Sequence, residues 1–96
     1  PDDPRYEGAS SLLLLADVVR MLHNDGWHPV NLDATIVTDQ PRIAPYILEM
    51  RMNVASVLQV VVGAVSIKAT TTDGLGFTGQ GRGIAAHAVA TIEAFS

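Results

Sequence analysis

Residues 68–79 read Lys-Ala-Thr-Thr-Thr-Asp-Gly-Leu-Gly-Phe-Thr-Gly, so a run of hydroxyls, a carboxylate and a set of glycines follow one another directly. Glycines let backbone N–H groups approach an anion without Cβ obstruction, and the hydroxyls of Thr70, Thr71 and Thr72 can donate to phosphate oxygens. The Asp73 carboxylate is a hard ligand of the kind that holds a divalent cation already bridging a diphosphate. The chemistry this composition suits is phosphate handling, and a helix expected after the glycines would bring the positive end of its dipole to the same place. A plainer alternative stays open: the threonines end a β-strand and Asp73-Gly74 makes a turn. Lys68 divides in the same way, between a solvated edge charge and a phosphate contact.

Residues 74–79 also match G-x-G-x-x-G. A dinucleotide-binding fingerprint needs a second strand after the helix, with an acidic residue roughly 20 residues on, and the expected helix here is the last element. A P-loop is excluded because no Lys-Ser or Lys-Thr follows the glycines. The second constellation is Thr38, Asp39, Gln40, Pro41, Arg42, Ile43 and Ala44, which begins where a strand ends and is stiffened by Pro41 and Pro45. A rigid turn of that kind presents backbone N–H and C=O groups in a fixed pattern, which is one way to read the edge of a base; the alternative is an ordinary connecting loop. His23, His28 and His87 share no metal-binding spacing and are read as surface or structural residues, and Met21, Met50 and Met52 as core filler.

The elements that must carry these two segments follow from periodicity. Residues 1–8 are polar and turn-rich, with Pro4 as punctuation. A helix is expected from Ser10 or Ser11 to about Asn24, stopped by Gly26, and its apolar residues cover so much of the surface that it should be buried on nearly all sides. Val30, Leu32, Ala34 and Ile36 alternate with polar residues, which predicts a strand with one apolar face. A helix is expected over residues 46–58, a second strand over 64–69 and an alanine-rich helix over 84–95. The expected order is helix, strand, helix, strand, helix. Because two strands make an unstable sheet, something outside this sequence must complete it: an N-terminal portion, a neighbouring subunit, or both.

At 96 residues the chain is one domain, residues 1–96, and its hydrophobic content of 48% exceeds what so small an interior can hide, which points to a subunit interface. A net charge of −4, with no Lys or Arg cluster, argues against a nucleic-acid partner. The early apolar run is far shorter than the roughly 20 residues a spanning helix needs, so no membrane partner is expected. The lack of cysteine excludes disulfides and thiolate metal sites. Nothing in the opening residues reads as a targeting peptide.

With these segments the chain resembles the 2-C-methyl-D-erythritol 2,4-cyclodiphosphate synthase family. The likeness covers essentially the whole chain, which corresponds to that family's C-terminal part. Residues 3–11, beginning at Asp3, resemble the end of the family's flexible acidic substrate loop and the start of the helix after it. Residues 38–44 are similar to the segment whose backbone holds the cytosine ring, with Pro41, Arg42 and Ile43 matching a Pro-Lys-Met core. Thr70, Thr71, Thr72 and Asp73 match the cluster that contacts the diphosphate, and Thr71 aligns with the threonine assigned to transition-state stabilisation. Asp73 stands where the family usually has a Glu that takes Mg²⁺ or Mn²⁺. Phe77 matches a substrate-contacting aromatic near a three-fold axis. The pattern departs just beyond it, where Gln80 and Arg82 replace the usual Arg and Glu.

The resemblance implies an α+β fold, with helices on one face of a mixed β-sheet completed by an N-terminal part and by trimer neighbours. It implies a homotrimer with sites between subunits, and a cytoplasmic location, or a plastid one for a plant-type source. The substrate it implies is 4-diphosphocytidyl-2-C-methyl-D-erythritol 2-phosphate, a small molecule containing cytidine diphosphate. A lyase would cyclise it and release CMP. The family's Zn²⁺ or other divalent metal is held by residues upstream of Pro1, so no zinc ligand is assigned within this chain. The alternative is a nucleotide-binding or trimerisation remnant without catalysis.

Overall fold

The computed structural model describes residues 4–38, 42–71 and 84–96. In chain order these form helix α1 (Pro4–Asn24), strand β1 (Trp27–Val37), helix α2 (Ile47–Leu58), strand β2 (Val65–Thr70) and strand β3 (Ala85–Ala94). Single 3₁₀ turns at Ala44–Tyr46 and Val62–Ala64 lead into and away from α2. The architecture is α+β, with two helices on one face of a mixed three-stranded sheet of order β2-β1-β3.

β1 is the central strand. It runs parallel to β2, from Leu32 opposite Val65 to Val37 opposite Thr70, and antiparallel to β3, from Trp27 opposite Ala94 to Val37 opposite Ala85. Residues therefore align in rows across the sheet, such as Ile67, Ala34 and Ala88. The apolar side of these rows meets the helices. Val19 of α1, Ala55 and Leu58 of α2, and Val65 and Ile67 of β2 form the buried core, with Leu32, Ala34 and Ile36 packed against it. Strand β1 begins three residues before its expected start because Pro29, which has no N–H to give, sits at a bulge between Pro29 and Asn31.

The largest correction concerns residues 84–95, expected as a helix and found as β3. Alanine's helix propensity is a weak prior, worth a few tenths of a kcal/mol per residue against most alternatives, and ten cross-strand partners on β1 override it. The segment also carries a period of two: Ala86, Ala88, Ala90 and Ile92 alternate with His87, Val89, Thr91 and Glu93. The third strand thus comes from within the chain. Helix α1 starts at Pro4, whose missing N–H costs nothing in a first helical turn, rather than at Ser10. Nor is it buried all round: Val19 is buried, whereas Leu14 and Met21 are each 66% exposed on the side away from the sheet. A single sheet face can cover only one stripe of a helix.

Two helix ends are closed by left-handed residues. Gly26 has φ of 89° in the turn between α1 and β1, where its N–H donates to the His23 carbonyl at 3.0 Å. Gln59 caps α2 with φ of 61°, a conformation that strains any residue carrying a Cβ. Substitutions at these two positions should have opposite signs. Nothing lies within 4 Å of a Cβ built at Gly26, so Gly26→Ala carries only the backbone cost and should lower stability by about 1 kcal/mol. Gln59→Gly should raise it by roughly 0.5 kcal/mol, the relieved strain being partly offset by glycine's greater unfolded freedom. Denaturant titration of both variants checks the pair.

Candidate functional site

Parallel pairing brings the C-terminal ends of β1 and β2 to the same edge of the sheet, so the segments that leave them start side by side. The junction is closed by the Thr38 N–H, which donates to the Thr70 carbonyl at 3.0 Å, and Thr38 is the one buried polar residue among those described. Above this junction lies a cavity of about 360 Å³ lined by Thr38, Arg42, Ile43, Ala44, Ala69, Thr70 and Thr71. The described parts of the two constellations singled out in the sequence, Thr38 with residues 42–44 and Thr70 with Thr71, lie at least 26 positions apart along the chain and thus line one cleft from two sides. Clefts at the carboxyl ends of parallel strands are where open α/β sheets bind ligands.

Each wall has a local reason for its shape. On the first, the Ile43 carbonyl accepts the Tyr46 N–H at 2.8 Å, which opens the Ala44–Tyr46 turn with Pro45 inside it and runs directly into α2. Residues 42–44 are therefore anchored to a helix. On the second, Thr70 is the last residue of β2, and Thr71 follows it. Ala69 was not singled out by the sequence. It continues the core-facing row Val65-Ile67, but beyond the reach of the helices, so its methyl group lines the cleft instead. A break from Val and Ile to Ala in that row was the available signal.

The cleft brings Arg42, Thr38, Thr70 and Thr71 together with the apolar residues Ile43, Ala44 and Ala69. That donor set suits an anionic ligand with an apolar or aromatic part. Thr38, Arg42, Ile43, Ala44, Thr70 and Thr71 are brought together. Asp3, Asp39, Gln40, Pro41, Thr72, Asp73, Phe77 and Gln80 lie outside the described residues, as do the glycines of residues 74–79. The expected helix dipole after the glycines is replaced by β3. Among the described residues, no group of three or more His, Cys, Asp or Glu side chains could hold a metal ion.

Lys68 does not line the cleft. It points to the other face of the sheet and is hydrogen-bonded and ion-paired to Asp33 on β1. His23 and His28 pack against the ring of Phe95, with centroids 5.5 and 5.0 Å away, at the end of β1 remote from the cleft. These are structural contacts. Lys68 holds the Asp33 carboxyl below its ordinary range, first through its hydrogen bond and then through its charge; Ser66 adds a hydrogen bond and desolvation works against the shift. A depressed carboxylate stabilises the fold above its unfolded pKa, and that contribution is lost as pH falls through the folded value. Both side chains are more than half exposed, so the energetic effect is small. Carbon-detected NMR titration should find Asp33 below the usual aspartate value, and Lys68→Met should raise it toward that value without disturbing the cleft.

Comparison with known proteins matches the family model described as "YgbB family" to residues 1–93. The 2-C-methyl-D-erythritol 2,4-cyclodiphosphate synthase of Syntrophomonas wolfei is 51% identical over 94 residues, covering 97% of this chain and 60% of that protein. Among solved structures, the synthase of that name from Plasmodium vivax superposes with a TM-score of 0.85 at 28% identity, over 90% of this chain and 57% of that one. A CDP complex of the Plasmodium falciparum protein IspF has a TM-score of 0.83 over 90% of this chain and 55% of that one; at 20% identity it bears on the fold alone. The chain spans 60% of the length of the Syntrophomonas wolfei and Thioalkalivibrio sulfidiphilus synthases.

Proposed function

This chain belongs to the YgbB family, and from that premise we propose that it forms the cytidine- and diphosphate-binding part of a 2-C-methyl-D-erythritol 2,4-cyclodiphosphate synthase. The observation that carries the proposal is the shared cleft, in which residues 42–44 face Thr70 and Thr71 across one cavity. A cavity of about 360 Å³ is of a size for a small ligand rather than a polymer. The relatives' name supplies the substrate class.

The reaction is an intramolecular phosphoryl transfer. An oxygen of the 2-phosphate attacks the β-phosphorus of 4-diphosphocytidyl-2-C-methyl-D-erythritol 2-phosphate, the bond from that phosphorus to the bridging oxygen breaks, and CMP departs with the oxygen and its electron pair. Nucleophile and electrophile belong to one molecule, so catalysis is mostly a matter of holding its two ends in register and countering the charge that develops between them. Residues 38–44 hold the cytosine through backbone groups, and Arg42 adds positive charge to that wall. The hydroxyls of Thr70, Thr71 and Thr72 bind the diphosphate, with Thr71 donating most strongly as charge builds on the transferring group. Asp3, Phe77 and Gln80 complete the substrate contacts in this reading.

The described residues do not by themselves form a metal site. In the proposal, Asp73 is the carboxylate that holds Mg²⁺ or Mn²⁺ on the diphosphate, and Zn²⁺ or another divalent ion is held by residues outside this chain. The assembly is a homotrimer in which neighbouring subunits and an N-terminal part cover the sheet. Its support is the exposure of β3, where Val89 is 73% and Ile92 41% exposed, together with the uncovered side of α1. Among the described residues no helix is long and apolar enough to cross a membrane, and the proposed location is the cytoplasm, or a plastid in a plant-type source.

Two measurements on the full-length protein test this reading. Calorimetry should show CDP bound in preference to UDP, because the turn at residues 38–44 reads the base edge; equal affinity for both would remove the base-reading role. Thr71→Val should lower kcat by roughly 100-fold with little change in KM, the signature of a donor used in the transition state. Normal turnover in a variant that melts like the wild type would end the claim for Thr71.

A further inference from the structure

The two walls of the cleft belong to different elements. Residues 42–44 run into α2 through the Ala44–Tyr46 turn, whereas Thr70 and Thr71 sit at the end of β2. Their separation is therefore the separation of α2 from β2. Apolar contacts between Ala55, Leu58, Val65 and Ile67 hold these elements together but tolerate small sliding displacements. One side chain ties them directionally. Arg51, on the first turns of α2, donates from Nε to the Val65 carbonyl at 2.7 Å and from Nη2 to the Val62 carbonyl at 3.2 Å. Val65 opens β2 and is the most deeply buried residue of the core, and Val62 opens the 3₁₀ turn that delivers the chain to it. A planar guanidinium that donates to both fixes an angle as well as a distance.

We infer that Arg51 is a positioning residue for ligand binding: by clamping α2 to the root of β2 it sets the spacing between the base-holding wall and the phosphate-holding wall. The inference rests on the functional reading above. Arg51 touches no ligand in this arrangement and lies outside the cleft lining. Its influence falls on molecules that bridge both walls. A ligand that uses one wall alone gains nothing from the spacing, whereas one that must satisfy both loses affinity when the walls shift by a fraction of an ångström.

The test compares bridging and non-bridging ligands in the full-length protein carrying Arg51→Gln or Arg51→Lys. CDP spans both walls, cytidine uses the first, and inorganic pyrophosphate the second. In Arg51→Gln, CDP binding should weaken by roughly tenfold while cytidine and pyrophosphate stay within about twofold of the wild type. Arg51→Lys, which can reach one carbonyl at a time, should fall between. A variant that melts lower but keeps all three affinities, or loses all three in proportion, would overturn the inference and leave Arg51 a structural residue. Should Arg51→Gln fail to fold, the same comparison on Arg51→Lys decides. If the wild-type protein does not bind CDP, the functional reading and this inference fall together; if it does, the Arg51 variants judge the inference alone.

Discussion

The parallel alignment of β1 with β2 is the constraint on which the rest of the molecule depends. Antiparallel neighbours would send their outgoing segments to opposite edges of the sheet, and residues 42–44 would never meet Thr70 and Thr71. Parallel strands need a crossover between them, and here α2 with its flanking 3₁₀ turns supplies it. The crossover covers the apolar face of both strands and at the same time carries one wall of the cleft at its start. Fold and site are thus built by the same βαβ unit, closed at the cleft end by the bond from the Thr38 N–H to the Thr70 carbonyl.

The core made by this unit is thin. Among the described residues, five buried apolar side chains hold it, all from α1, α2 and β2, while β1 contributes half-buried partners. Strand β3 extends the sheet beyond the helices, and its side chains are exposed on both faces over nearly its whole length. It is an alanine-rich edge strand of the described sheet that leaves Val89 and Ile92 with little cover. The apolar excess already visible in the composition is found on β3 and on the outer stripe of α1, where Leu14, Val18 and Met21 lie one helical turn apart. That distribution is what supports the proposed assembly.

Much of this was legible in the residues, for identifiable reasons. The strand at Leu32, Ala34 and Ile36 has a polar opposite face, so its period is unambiguous, and the Gly26 break is required by a positive φ. The cleft was legible as two separate pieces, because hydroxyls and a proline-stiffened turn have distinctive composition; that they share a cavity depends on strand direction, which local pattern does not encode. Residues 84–95 were misread because alanine favours helix in isolation while cross-strand pairing, a tertiary effect, decides the outcome. Lys68 was ambiguous until its neighbour across the sheet, Asp33, was known. Arg51 carried no sequence signal, since its partners are backbone carbonyls 11 and 14 residues away.

The central claim is that one cleft, formed where β1 and β2 end, holds a cytidine diphosphate across its two walls. Amide chemical-shift mapping during titration of the full-length protein with CDP tests it residue by residue. The account predicts saturable shifts at Thr38, Arg42, Ile43 and Ala44 on one wall and at Ala69, Thr70 and Thr71 on the other, moving with a single affinity, while the amides of β3 away from Ala85 stay still. Shifts confined to one wall, or centred on β3 or the outer side of α1, would contradict it.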